Sequence, residues 1–257
     1  MESDIETTIE NNTSSTRILA LHGFLGKPTD WDPFIAEVKQ LCPHIRVDTP
    51  DIFSQLKVPL KLSMLDWAEE FNSDQKNHHL EKNILIGYSM GGRLALQAVL
   101  DKPGLWDDVV LLSSHTGIME DDGQREARLK WDEMWAHKFK TEPWAEVLKE
   151  WNEQPVFKGS QEPQREEKDF SREVLAETLV QWSLSRQAFL EDNLRAVQGR
   201  IHLVAGEKDT KYRSFYEDLK QRDLAAEFHI VKGAGHRIIF DKPKELARLL
   251  VRHLKLV

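Results

Sequence analysis

The apolar run Ile84-Leu85-Ile86 leads straight into Gly87-Tyr88-Ser89-Met90-Gly91, and the helix-forming stretch Gly92–Leu100 follows at once. A strand that stops at Gly-x-Ser-x-Gly and reverses into a helix places its serine on a sharp, strained turn. Only glycine-sized residues two places before and two places after that serine let strand and helix approach closely enough. The pentapeptide alone is weak evidence, because Gly and Ser are common. The strand before it and the helix after it make Ser89 a candidate nucleophile or base.

The partners that such a serine needs follow in the order Ser, acid, His. Ile201–Gly206 reads as a buried strand, with Asp209 just past its carboxyl end. Glu207 is the rival carboxylate in that turn, and its place at the strand end points it away from the histidine. Ala226–Val231 is a further strand, leading to Gly233-Ala234-Gly235-His236 and then, past Pro243, to an amphipathic helix that ends near Leu254. His236 alone would be an ordinary loop histidine; the elbow and acid upstream make it the candidate base. Near the start, the strand Arg17–Leu21 ends in His22-Gly23-Phe24-Leu25-Gly26, which resembles the oxyanion loop of the α/β-hydrolase fold. The expected oxyanion hole pairs the Met90 N–H with that of Phe24, Leu25 being the neighbouring option.

The chain has 257 residues, enough for one α/β domain with an inserted subdomain. Strands at Arg17–Leu21 and Ile45–Thr49 alternate with helices around Trp31–Leu41 and Met64–Asn77, then come the elbow and the strand Asp108–Ser113. This alternation predicts a mostly parallel sheet of about six strands with helices on both faces. From Gly117 to Leu194 no good strand is found, only charged, Trp-rich helical sequence broken at Pro143, Pro155 and Pro163. The expected organisation is a flexible leader at 1–16, the first part of the core at 17–116, a helical cap at 117–194 and the second part of the core at 195–257. The leader is polar and unlike a secretory signal. One cysteine, Cys42, excludes an internal disulfide, and no apolar stretch reaches the roughly twenty residues a membrane helix needs. A soluble, cytoplasmic protein is expected, monomeric or a small homo-oligomer. A net charge of −8 gives no reason to expect nucleic acid.

Two features narrow the substrate. Arg93 lies one helical turn beyond Ser89, at a spacing that lets it look into the same pocket. Arg128, Trp131 and Trp135 recur at helical spacing, and Trp151 and Gln154-Pro155-Val156-Phe157 follow. Guanidinium groups among aromatic walls suit carboxylates, although the bland alternative, pairing with neighbouring Glu and Asp, stands beside that reading. Together with Asp30-Trp31, Ser183-Leu184-Ser185-Arg186-Gln187 and Gly206–Tyr212, these motifs resemble the menaquinone-pathway 2-succinyl-6-hydroxy-2,4-cyclohexadiene-1-carboxylate synthases. The similarity covers nearly everything after the leader. It implies a lyase that eliminates pyruvate from a tricarboxylate, with Ser89, His236 and Asp209 acting together as the base. It also implies Arg93 and Arg128 as a carboxylate clamp, with Tyr88 and Trp151 shaping the pocket. A third basic contact falls in Gln164–Arg172, at Arg165, Lys168 or Arg172, with Arg165 preferred.

The competing readings are a serine carboxylesterase or carbon–carbon bond hydrolase that takes small anions, and a non-catalytic ligand sensor on the same fold. A haloalkane dehalogenase would need a carboxylate where Ser89 stands. No metal or organic cofactor is expected, since no His/Cys/Asp cluster has ligand spacing and no phosphate-cradling glycine loop is found.

Overall fold

The computed structural model describes residues 16–75, 82–118, 121–222 and 226–257. The expected leader lies outside them, except that Thr16 already belongs to the first strand; so does the expected helix end at Asn77.

Among the described residues six strands form one sheet, β1 (Thr16–Leu21), β2 (Arg46–Asp48), β3 (Lys82–Tyr88), β4 (Asp108–Leu112), β5 (Arg200–Gly206) and β6 (Ala226–Val231). Their order is β2-β1-β3-β4-β5-β6 and every pairing is parallel. β2 is shorter than the sequence predicts: the Ile45 N–H closes a turn onto the Cys42 carbonyl, and Thr49 precedes Pro50, whose ring has no N–H for a ladder.

Nearly continuous apolar runs mark strands buried on both faces. In β3, Leu85 packs with α2 (Met64–Gln75), α3 (Met90–Asp101) and α7 (Thr210–Gln221). Its neighbours Ile84 and Ile86 point the other way, towards α1 (Asp32–Leu41) and α9 (Pro243–His253). The period of two along the strand thus divides the core between two helical layers. Cys42, just past α1, is buried in the second layer.

Between β4 and β5 the described residues hold no strand. They form α4 (Asp122–Thr141), α5 (Trp144–Asn152), α6 (Arg172–Gln181) and short 3₁₀ turns. The Asp121 side chain starts α4 by accepting from Gln124 N, and Ser171 starts α6 by accepting from Val174 N. These helices share an apolar cluster of their own, in which Trp135, Phe139, Val147, Leu175 and Leu179 pack with Leu25 from the loop after β1. Leu25 and its neighbour Phe24 therefore join the helical insertion to the sheet's carboxyl end. Among the described residues no helix is long and apolar enough to cross a membrane.

Candidate active site

The turn after β3 holds Ser89 at φ 53° and ψ −110°, a conformation that costs a non-glycine residue energy. Its neighbours pin it there: the Ser89 N–H donates to the Leu112 carbonyl at 2.9 Å, and the Ser114 hydroxyl donates to the Ser89 carbonyl, also at 2.9 Å. A Cβ on Gly87 would collide with the Gly91 backbone, and one on Gly91 with the His22 carbonyl. The two glycines are thus imposed by close approach of β1, β3 and α3.

Two further loops converge on this turn from the carboxyl ends of β5 and β6. Asp209 caps α7 by accepting from Tyr212 N through Oδ1, which leaves Oδ2 free to meet His236 Nδ1 at 2.9 Å. His236 Nε2 stands 3.4 Å from Ser89 Oγ. Asp209 and His236 are both buried. With Nδ1–H donating to Asp209, Nε2 carries the lone pair that faces the serine hydroxyl. Glu207 turns away, accepting from Gly233 N at 2.9 Å.

Ser89 lies where two compartments meet. The larger, about 220 Å³, also contains Met90, Arg93, His115, Arg128, Trp151, Lys211, Tyr212 and His236. The smaller, about 50 Å³, contains Tyr88, Arg165 and Arg237. Phe24, Trp151 and Phe157 line both. Met90 is the first residue of α3, so its N–H is among those with no partner inside the helix.

Cations dominate the larger compartment. Arg93 is buried, and one of its nitrogens donates to the Trp182 carbonyl at 2.7 Å. Burial and then the charge of Arg128 lower Arg93 to about 10, which leaves it charged at neutral pH. Arg128 donates to Asp132 at 2.8 Å, and that carboxylate also accepts from the Ser183 hydroxyl. Among the described residues, Asp132 is the one carboxylate lining the compartment, beside three cations, Arg93, Arg128 and Lys211. His115 records the resulting field: burial first, then Lys211, Arg93 and Arg128, push it down to about 3, so it stays neutral.

The third expected basic contact sits differently. Arg165 reaches the smaller compartment, but it donates to Asp30 at 2.6 Å with both side chains almost wholly buried. Lys168 pairs with Glu166 at the surface. Arg172 is spent on the carbonyls of Phe139 and Glu142. Neither lines either compartment. Sequence reasoning assigned no role to Lys211, His115, Tyr212 or Arg237, although Lys211 and Tyr212 lie within three residues of Asp209 and Arg237 follows His236 directly. The Arg237 guanidinium stacks 4.0 Å from the centre of the Phe157 ring. Tyr88 is buried, which pushes its phenol well above its ordinary pKa.

Residues 18–249 match the model of the alpha/beta hydrolase family. A Salmonella heidelberg protein named 2-succinyl-6-hydroxy-2,4-cyclohexadiene-1-carboxylate synthase is 30% identical over 245 residues, covering 93% of this chain and 94% of the relative. The Salmonella typhimurium protein of the same name matches to the same extent. The chain belongs to the 2-succinyl-6-hydroxy-2,4-cyclohexadiene-1-carboxylate synthases of the alpha/beta hydrolase family. Among solved structures, MenH from S. aureus superposes with a TM-score of 0.83 at 19% identity, covering 93% of each chain. A malate-bound thermophilic esterase from Thermogutta terrifontis reaches 0.72 at 18% identity, covering 94% of this chain and 90% of that one. At such identities both speak for the fold.

Proposed function

We propose that this synthase eliminates pyruvate from 2-succinyl-5-enolpyruvyl-6-hydroxy-3-cyclohexene-1-carboxylate, giving 2-succinyl-6-hydroxy-2,4-cyclohexadiene-1-carboxylate, with Ser89, His236 and Asp209 as its base. The observation that carries the reading is the cavity in which a Ser–His–Asp chain faces three cations and a single carboxylate. A plain ester needs no such field, whereas a tricarboxylate does.

The ring proton next to the succinyl ketone is acidic because the carbanion delocalises onto the ketone oxygen. Ser89 Oγ, its own proton drawn towards His236 Nε2, takes that proton, and Asp209 stabilises the imidazolium that forms. The electron pair moves through the ring alkene, and the bond from ring carbon to the enolpyruvyl oxygen breaks. The departing enolate takes a proton back from the His236 imidazolium, and the enol that forms tautomerises to pyruvate. No water is consumed and no acyl-enzyme forms. The N–H groups of Met90 and Phe24, both residues that line the larger compartment beside Ser89, meet developing negative charge. Arg93 and Arg128 hold carboxylates, while Trp151 and Tyr88 wall off water. The helical insertion at 117–194 serves as the lid that brings Arg128 and Trp151 over Ser89.

The test is a coupled assay on enzymatically generated substrate, following pyruvate release and diene absorbance together. Ser89→Ala is expected to lower kcat at least ~100-fold, the low end of what general base catalysis supplies. Arg93→Ala is expected to raise KM by about 10–100-fold, the worth of a charged hydrogen bond. Release no faster than the spontaneous rate, with p-nitrophenyl esters turned over instead, would leave an esterase for small anions as the reading.

A further inference from the structure

On the face of the sheet covered by α9, the edge strand β6 and its neighbour β5 gather an imidazole–carboxylate cluster that the reaction does not use. His202 of β5 stands in register with Glu227 of β6, and His229, two residues on, shares Glu227's face of the strand. His202 Nδ1 lies 3.3 Å from His229 Nε2 and 3.7 Å from Glu227 Oε2. His229 Nε2 lies 3.6 Å from the same oxygen. Ligand atoms about 2.05 Å from a tetrahedral centre sit about 3.4 Å apart. The three donor atoms therefore already mark out a triangle of the size that a tetrahedral ion requires.

We propose that His202, Glu227 and His229 form a zinc site at this sheet edge, with water in the fourth position. The site is independent of the lyase reading. Two imidazoles and one carboxylate are donors that Zn²⁺ takes readily. Behind His202, Nε2 meets Asp108 Oδ1 at 3.0 Å with both side chains fully buried. A carboxylate on the far nitrogen fixes the tautomer, so the Nδ1 lone pair points at the other two donors. Asp108's own charge is met by Arg200 and Lys82, which leaves it to orient His202 rather than to compete for the ion. The His229 ring stacks on that of His202, their centroids 5.6 Å apart, which holds its Nε2 towards the other two donors. The half-exposed Glu227 faces the three imidazoles of His202, His229 and His253, and it gives an ion a way in from solvent. The ligands come from two strands 25 residues apart in sequence, from His202 to Glu227, which is why no sequence spacing announced them. Such a clasp ties β6, the strand that leads into the His236 loop, to β5.

The competing arrangement is a bare hydrogen bond from His229 Nε2–H to His202 Nδ1, with no affinity for metal. Untagged full-length protein stripped with EDTA separates the two. Titration with Zn²⁺ by calorimetry is expected to saturate at one ion per chain, Co²⁺ to develop the visible bands of a four-coordinate ion, and Zn²⁺ to raise Tm. Glu227→Gln and His229→Gln are each expected to weaken Zn²⁺ binding by ~100-fold and to abolish the Tm rise. His236→Gln is expected to bind as the parent does. Circular dichroism of the metal-free variants, expected to match the parent, separates a lost ligand from a lost fold. Absence of saturable binding, binding unchanged in both edge variants, or binding lost in His236→Gln would each overturn the proposal.

Discussion

Lys211 and Arg165 are both cations within a few side chains of Ser89, yet their surroundings give them different work. Lys211 is exposed at the start of α7 and lines the larger compartment, where the carboxylate of Asp132 is already engaged by Arg128. Its charge is available to a ligand. Arg165 has its carboxylate already: it and Asp30 are buried together, with side chains 7% and 6% exposed. Removing one member of a buried pair strands the other and costs ~3–5 kcal/mol. Lys211→Met is therefore expected to raise KM about 10-fold with Tm unchanged, because an exposed cation on a bound carboxylate is worth about one charged contact. Arg165→Gln is expected to lower Tm sharply at any substrate concentration. Steady-state kinetics and thermal melts of the two variants check this; a Lys211→Met enzyme with parental KM would remove that residue from the site.

At the scale of elements, what could be read in the sequence was whatever chain-local physics decides. The strands stood out as apolar runs, four of them closed by glycine turns, the insertion as helical sequence broken by prolines, and the order Ser89, Asp209, His236 as a property of the chain itself. What could not be read was which charge the fold delivers to which. Arg165 and Asp30 are 135 positions apart, and no local pattern tells whether that guanidinium will meet a substrate or a neighbour. The register of β5 on β6, which sets His202 beside Glu227, was hidden for the same reason. The insertion also has its own core, which neither charge nor proline spacing disclosed. Phe139 is fully buried there and its ring touches those of Phe24, Trp135, Trp144 and Trp151. Phe139→Ala is expected to cost ~3–5 kcal/mol, and the loss falls on the helical insertion first, since its cluster is separate from the two layers of the sheet. Limited proteolysis should cut between β4 and β5 before the sheet opens, and kcat/KM should fall because Phe24 loses its support. Uniform cleavage throughout the chain would show that insertion and sheet unfold as one unit.

Taken whole, the molecule carries a net charge of −8 while concentrating positive charge around one cavity, and that contrast has a consequence for stability. Arg93, Arg128 and Lys211 surround His115, whose ring stacks on Phe215 at 4.3 Å and whose Nδ1 accepts from Gly117 N. A proton on His115 would be buried among three cations, so its pKa falls from 6.5 to about 3. The unfolded chain, free of that field, takes the proton near the ordinary value. Between these two values the unfolded state binds more protons than the native one, so this group's contribution is full above about pH 6.5 and is lost as the pH falls towards 3. The slope approaches about 1.4 kcal/mol per pH unit for a single such group. His115→Asn keeps an acceptor for Gly117 N and has nothing to titrate. Denaturant unfolding of both proteins across this acid range is expected to show the parent losing stability more steeply than the variant, with the two curves parallel above neutrality. Parallel curves throughout would mean that neither burial nor the cavity's cations keep the proton off His115. The anion affinity argued from the same field would then rest on Arg93, Arg128 and Lys211 contacting the ligand directly.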